Sequence, residues 1–364
     1  MKKQEEDNRS GVNYLKIISY LLGFISFVIF VYILIAFKDI LVPVTLAVFL
    51  TFLFHPLIEY LKKFKFPKLL SLILILFFIS GIYYLIGLLV VANFGTFTQK
   101  LQTYSQNLAI FLQQILSPFN LTVKEVAQMF NIKTEQFDVS SLFQNLFKAG
   151  IIQNLFSSFS SMMGDFFILL VFWIFMIMGK KQFEERLKSA FANRRDVIED
   201  TINSINNQLQ SYIIIKTITS LTTGIIVTII LWLFGIDFAI FWGLLTFILN
   251  FIPNIGSIIA TLFPIVISFL DYGIGLKTIS LGALLIINQN IIGNFIEPHY
   301  LGKQMDLSPV FVLFSLIFWG WIWGIAGMFL SVPIAAAIKI FFSNIEPLKP
   351  ISIIMGRKVA DINS

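Results

Sequence analysis

The sequence predicts an all-α, polytopic integral membrane protein, and three observations carry that expectation. Of the 364 residues 57% are hydrophobic and 13% charged, with a mean hydropathy of +0.86, more apolar surface than a water-soluble domain can cover. Several apolar stretches reach the ~18 to 20 residues that a helix needs to cross a hydrocarbon core of ~30 Å. Lys and Arg are grouped in short connections between those stretches, as the positive-inside rule requires of cytoplasmic loops.

Taken in order, the N-terminus MKKQEEDNRS is polar, and the apolar run from Tyr14 to Ala36 exceeds a signal-peptide core and lacks an A-x-A-like exit. It reads as a retained first transmembrane helix. Further apolar segments lie at 40–61, 68–92, 161–179, 211–234, 238–270, 274–296 and 309–341, about eight in all. Lys2, Lys3 and Arg9 precede the first, Lys62, Lys63, Lys65 and Lys68 separate the second and third, and Lys180, Lys181, Arg186, Lys188, Arg194 and Arg195 follow the fourth. With single crossings these groups share one side, which places both termini in the cytoplasm of a bacterial-type inner membrane. The charge of +6 is thus accounted for by orientation, and nucleic acid is not an expected partner. The lipid bilayer is.

The chain divides into a tail with three helices (1–93), an extracytoplasmic segment (94–160), a fourth helix with a basic cytoplasmic loop (161–210), a core (211–342) and a cytoplasmic tail (343–364). In the second unit Phe97, Leu101, Tyr104, Leu108, Phe111, Leu112 and Ile115 form the stripe of an amphipathic helix that Pro118 ends. Thr122 to Glu125 reads as a capping box opening a short helix, and a third runs from Val139 to Lys148. This segment is a helical cap or subunit contact, or else recruits solute at the membrane surface.

Two segments are too long for one crossing and are broken in the middle. Phe238 to Leu270 spans 33 residues, which would be ~50 Å of helix. LNFIPNIGS interrupts it, with Pro253 and Gly256 breaking the helix and Asn250 and Asn254 bringing amides to membrane depth. Pro309 to Phe341 is interrupted at the matching place by GWIWGIAG, with Gly320, Gly324 and Gly327. Half-segments of this length suit re-entrant helical hairpins, and irregular backbone at that depth is tolerated only inside protein or beside an aqueous cavity. A continuous helix between the two makes the tips enter from opposite faces, the inverted-repeat logic of secondary transporters. Kinked full crossings are the alternative, and they place the linker from Glu297 to Pro309 on the opposite side.

Polar residues also fall into stripes. Asn290, Gly293, Asn294 and Glu297 share one helical face, and Lys216, Thr219, Ser220 and Thr223 share another. A charge in the hydrocarbon core costs at least ~2.5 to 3.5 kcal/mol, so such groups pair, snorkel or line a path. Glu297, just before Pro298, is a headgroup-level residue, a coupling group or half of an ion pair, and Lys216 either snorkels or is its partner. Asn290 and Asn294 serve as interhelical glue or as solute ligands.

The absence of Cys excludes disulfides and thiol chemistry, and His55 and His299 are too few for a His-based metal site. No HExxH, GxSxG or GxxxxGK[ST] occurs, so no enzyme is expected and ATP energy would need another subunit.

The runs YIIIKTITSLTTG, GIDFAIFWGLLTFILNFIPNIGSIIATLFP and NFIEPHYLGKQMDLSPVFVLFSLIFWGWIWGIAGMFLSVPIAAAIK, between Tyr212 and Lys339, resemble the autoinducer-2 exporter family of bacterial membrane transporters. VPVTLAVFLTFLFHPLIEYL fits its weaker N-terminal pattern, and His299 stands where the family often has Arg. The resemblance implies a multispanning exporter of a small polar solute, with the quorum-sensing signal autoinducer-2 as the name-giving substrate. It implies no prosthetic group, and a homo-oligomer, pentameric in some members. Other relatives are regarded as sodium or proton antiporters. A transport path at Asn250, Pro253, Asn254, Gly256, Lys216 and the Asn290, Asn294 and Glu297 face, met by both hairpin tips, is the expectation. A cation/proton antiporter titrating at Glu297 and a non-transporting scaffold are the alternatives.

Overall fold

In a computed structural model of the chain, residues 2–122, 125, 152–192, 195–301 and 306–357 are described. Among them the chain is helical, with eight helices long and apolar enough to cross a membrane. The described α-helices begin with α1 (Lys2–Ala36), α2 (Lys38–Lys63), α3 (Lys68–Leu116), α4 (Ile152–Ala190) and α5 (Arg195–Leu233). After these come α6 (Ala239–Leu249), α7 (Ile255–Tyr272), α8 (Leu276–Asn290), α9 (Glu297–Leu301), α10 (Pro309–Ser343) and α11 (Lys349–Met355). The short α6 is the one additional apolar helix.

Three boundaries differ from the sequence expectation, for one reason. Nothing in the local sequence breaks a helix where the hydrocarbon ends. α3 passes through residue 93 without a stop and runs 49 residues, ~74 Å, so it projects far beyond a ~30 Å core. Of the basic residues expected on a loop after 179, Lys180, Lys181, Arg186 and Lys188 lie on a helical extension of α4 and Arg195 on α5, and Lys188 Nζ reaches Glu199 Oε1 at 2.6 Å. α3 ends at Leu116 in a single 3₁₀ turn containing Pro118, with Asn120 left-handed (φ 53°). Thr122 and Glu125 form the reciprocal capping box: Thr122 N donates to Glu125 Oε2 at 2.7 Å and Glu125 N to Thr122 Oγ1 at 3.3 Å. The bonds that the exposed Glu125 carboxylate accepts from Thr122 N and from Thr122 Oγ1 hold it below its usual range. The helix expected at 139–148 lies outside the described residues.

Both interrupted segments are helical hairpins. In the first, Trp242 of α6 stacks on Phe263 of α7 with ring centroids 5.7 Å apart, and Tyr272 Oη donates to the Gly235 carbonyl at 2.9 Å. Along one straight helix Trp242 and Phe263 would be ~32 Å apart. The chain reverses over Asn250 to Asn254, where Asn254 takes φ 59°. In the second, within α10, Ser315 Oγ donates to the Ser331 carbonyl at 2.9 Å, and the reversal is at Gly324, with φ 62° and ψ −140°. Each hairpin closes on a glycine. A Cβ on Gly256 would overlap the Leu249 carbonyl oxygen, and one on Gly327 the Trp319 carbonyl oxygen. The limbs approach to where only hydrogen fits.

Around the first hairpin, α5 and α6 cross at Gly224 and Gly243, where a Cβ on Gly243 would lie 2.6 Å from the Gly224 carbonyl oxygen. The base of the hairpin is tied to the projecting part of α3. Lys100 pairs with Asp237, Tyr104 Oη donates to Asp237 Oδ2 at 3.3 Å, and Asn107 Nδ2 donates to the Leu270 carbonyl at 2.7 Å. Burial, with Asp271 and Asp237 nearby, pushes the Tyr104 hydroxyl up, so it stays a donor at neutral pH. The base of the second hairpin is tied to the C-terminal segment, with Lys339 Nζ 2.8 Å from Asp306 Oδ2 and Ser308 N donating to the Met355 carbonyl at 2.9 Å. Between the two bases runs one helical span, Leu276–Tyr300, so the hairpins point into the bundle from opposite ends.

The buried core lies where the hairpins meet the other helices. Phe49 of α2, Ile213 of α5, Phe251 of the first tip and Leu330 of the second hairpin are buried together, and Phe251 meets Phe329 at 4.6 Å. A second cluster joins α2, α3 and α4 around Trp173.

Candidate functional site

Beneath the tip of the first hairpin lies a cavity of about 1270 Å³, between α5, α7, α8 and the base of the second hairpin. All the residues singled out for the first tip and the two polar faces line it except Gly256, which is buried in the hairpin itself, and Thr219, Ser220 and Thr223, which lie behind Lys216 along α5.

α5 contributes one continuous buried polar face: Lys216, Thr219, Ser220 and Thr223 are each at most 7% exposed. The threonine hydroxyls bond back to their own helix, Thr219 Oγ1 to the Lys216 carbonyl at 3.1 Å and Thr223 Oγ1 to the Thr219 carbonyl at 2.8 Å. Ser220 instead receives Asn250 Nδ2 at 3.1 Å, and Asn250 Oδ1 receives Gln289 Nε2 at 3.2 Å. A chain of side-chain bonds therefore runs from α5 through the hairpin tip to α8. It is the reason a primary amide can be buried at that depth, since unpaired it would cost several kcal/mol.

Opposite stands Glu297. Both its oxygens accept from Lys216 Nζ, at 2.7 and 2.8 Å, and the side chains of Lys216 and Glu297 are 8% and 14% exposed. The helix carrying Glu297 is irregular: Ile291–Ile296 forms a π turn between α8 and α9. A π turn inserts about one extra residue and so rotates the residues beyond it by ~100° relative to an uninterrupted α-helix. Asn290, Gly293, Asn294 and Glu297 all line the cavity, but their side chains bond differently. Asn294 Nδ2 bonds Asn290 Oδ1 at 2.8 Å while Glu297 turns to α5. π turns recur at functional sites because they redirect a side chain in this way.

Measured along α5, Lys216 is 17 residues from Leu233, or ~26 Å from the end nearest the first hairpin's base. The ion pair thus sits deep in the bundle, toward the second hairpin's base. Asp306 and Leu307 of that base and Arg357 of the C-terminal segment complete the wall.

The second tip is elsewhere. Trp323 Nε1 donates to the Leu34 carbonyl of α1 at 3.1 Å, and Trp319 and Ile322 pack with Val31 and Leu34. Gly320, Gly324 and Gly327 thus shape a hairpin buttressed by α1, and the expectation of both tips at one cavity is corrected: the second hairpin reaches the cavity only through Val312 and Val332 of its limbs. Two nonlocal contributors were missed, Asp306 and Arg357, for which the sequence holds no periodic signal. Tyr212 and Gln289 were also missed, although Tyr212 is one turn before Lys216 and Gln289 four residues before Gly293. Among the described residues no cluster of His, Asp and Glu is arranged to hold a metal ion.

A polar cavity under the tip of one helical hairpin and beside the base of a second, within a bundle of apolar spans, is the arrangement of a multispanning membrane transporter. The chain belongs to the AI-2E family of transporters, whose profile matches residues 24–346. It is 32% identical over 325 residues to a Borreliella burgdorferi protein provisionally named a transport protein, covering 86% of this chain and 84% of that one. A Haemophilus influenzae protein with the same provisional name is 32% identical over 315 residues, 83% of this chain and 86% of the relative. The AI-2 transport protein TqsA of Escherichia coli is 28% identical over 321 residues, 87% of this chain and 90% of TqsA.

Proposed function

We propose that the protein is a secondary carrier that exports a small polar solute of the autoinducer-2 type, with the cavity under the first hairpin tip as its path. The cavity carries this reading. Its wall joins amides and hydroxyls (Asn250, Asn254, Ser257, Thr261, Asn290, Asn294) to one buried ion pair, a donor and acceptor set able to replace the hydration of a polyhydroxylated solute. The name of TqsA supports autoinducer-2 as the first solute to try. Purified protein in liposomes is expected to move autoinducer-2 down its gradient. Flux of none among autoinducer-2, sodium and protons would leave the scaffold reading instead.

A second reading, cation/proton antiport, is favoured by one observation, the acidic side chain of Glu297 in the cavity wall. It expects sodium-driven proton movement that Glu297→Gln abolishes.

Both readings take the hairpins as re-entrant and the termini as cytoplasmic. The grouping of Lys and Arg supports this, and so does the single span between the hairpin bases. The chain has no cysteine, so single thiols report sidedness directly. Ile274→Cys, exposed at the first base, is expected to react with a membrane-impermeant maleimide from outside, and Tyr300→Cys only after permeabilisation. Labelling of both from one side would sink the topology. Self-association as a homo-oligomer through the 94–160 segment belongs to the same proposal, and crosslinking in native membranes tests it.

A further inference from the structure

Three of the four charged residues that line the cavity are held by a partner. Lys216 is neutralised by Glu297, and Asp306, whose residue also lines the cavity, is held by Lys339. Arg357 lines the same cavity, and among the described residues its guanidinium has no acidic partner. Its place is built by the fold. The C-terminal segment returns from α11 to the second hairpin's base, where the Met355 carbonyl accepts from Ser308 N at 2.9 Å and Arg357 N donates to the Asp306 carbonyl at 3.2 Å. Leu307 and Gly356 form an antiparallel bridge, and Met355 is 1% exposed. The backbone leading to the guanidinium is therefore pinned, while the side chain stays exposed. Residue 357 lies beyond the 24–346 match to the family.

We propose that Arg357 is a specificity-determining residue that receives the carboxylate of an anionic, polyhydroxylated solute at the mouth of the cavity, with the amides of the wall binding its hydroxyls. A guanidinium presents paired N–H donors matched to the two oxygens of a carboxylate, a geometry that a neutral polyol cannot use. A cation with no acidic partner among the described residues, at the mouth of a partly apolar cavity, also raises the local concentration of anions before any contact forms. The inference rests on the reading of the cavity as the solute path, and it adds a charge preference to it.

The experiment uses the whole protein in liposomes with a single thiol, Thr261→Cys, on the cavity wall. Its rate of reaction is measured with two methanethiosulfonates of similar size, one carrying a sulfonate and one a trimethylammonium group. With each rate referred to that of the same reagent with 2-mercaptoethanol, the sulfonate reagent is expected to be favoured, and Arg357→Gln to lower the sulfonate-to-ammonium rate ratio by about threefold to tenfold, with Arg357→Lys close to the parent. Protection is then measured with D-gluconate and D-glucitol, which differ only in a carboxylate for a hydroxymethyl group. Gluconate is expected to slow the reaction at concentrations about tenfold below those at which glucitol does, and Arg357→Gln to erase that difference. A rate ratio unmoved by Arg357→Gln, equal protection by the two solutes, or protection by neither overturns the inference while leaving a reactive, accessible path. A thiol at position 261 that reacts with neither reagent overturns the path itself and this inference with it.

Discussion

Glu297→Gln is expected to destabilise the detergent-solubilised protein by about 3 kcal/mol and to abolish solute flux, and Lys216→Met to do the same, while the double variant Lys216→Met/Glu297→Gln recovers most of the lost stability. The reason lies in what each single change leaves behind. The Lys216 side chain is 8% exposed, and both oxygens of Glu297 hold its ammonium. With the carboxylate gone, an ammonium remains in a low-dielectric wall without a compensating charge, and that penalty exceeds the net worth of the intact pair. Removing both charges removes the penalty, because a buried ion pair contributes little over neutral groups of similar shape. The cavity wets one side of the pair, which places the expected loss at the lower end of the ~3 to 5 kcal/mol range for broken buried pairs. Thermal unfolding monitored by size-exclusion of the detergent-solubilised protein gives the stabilities, and liposome flux the activity. Additive losses in the double variant would show that the two residues act independently, contrary to their geometry. The charge-reversed Lys216→Glu/Glu297→Lys variant separates structure from transport. It is expected to fold better than either single reversal yet remain inactive, because the charges have changed helices.

The second large effect is expected from the hairpin glycines. Gly256→Val and Gly327→Val should each prevent the hairpin from closing, with little folded protein recovered from membranes, whereas Gly164→Ala and Gly81→Ala should behave as the parent. A Cβ at 256 or 327 meets backbone, the carbonyl of Leu249 or of Trp319, and backbone cannot rotate away as a side chain can. At Gly164 and Gly81 the same atom meets nothing within 4 Å, so Ala there gains helix propensity without a clash. Gly324 differs again. Space is open around it, but φ 62° with ψ −140° is a conformation that residues with a Cβ rarely adopt. Gly324→Ala is therefore expected to weaken the second tip by about 1 to 3 kcal/mol. Recovery of monodisperse protein after extraction checks all five variants. Normal yield of Gly256→Val would mean that the first segment is not folded as a hairpin.

How far the sequence could be read depended on the range of each interaction. Apolar run length and the positions of Pro253, Gly256 and Gly324 are local, and they marked the broken segments correctly. The polar stripe of α5 was legible because an uninterrupted helix keeps its 3.6-residue period. The stripe of the next span was legible as a set of cavity residues, since Asn290, Gly293, Asn294 and Glu297 all line it, but no residue pattern announces the π turn at Ile291–Ile296. The helical join across residue 93 and the extension of α4 past 179 were not legible, since membrane thickness stops hydrophobicity and not a helix. The Lys216 and Glu297 pairing stood as one alternative among several, because 81 residues separate the two.

What the sequence by itself determined is the solvent, the helical class, the family and the two places where spans are interrupted, all of which depend on neighbours within a few turns of chain. Tertiary structure alone decided that one hairpin tip borders the cavity while the other packs on α1. It alone brought Asp306 and Arg357 to the cavity wall, and joined Ser220, Asn250 and Gln289 into one hydrogen-bonded chain. Those outcomes depend on which faces of distant helices fit closely enough for backbone and buried polar groups to satisfy each other, and in a solvent that offers no hydrogen bonds that fit is set by three-dimensional packing.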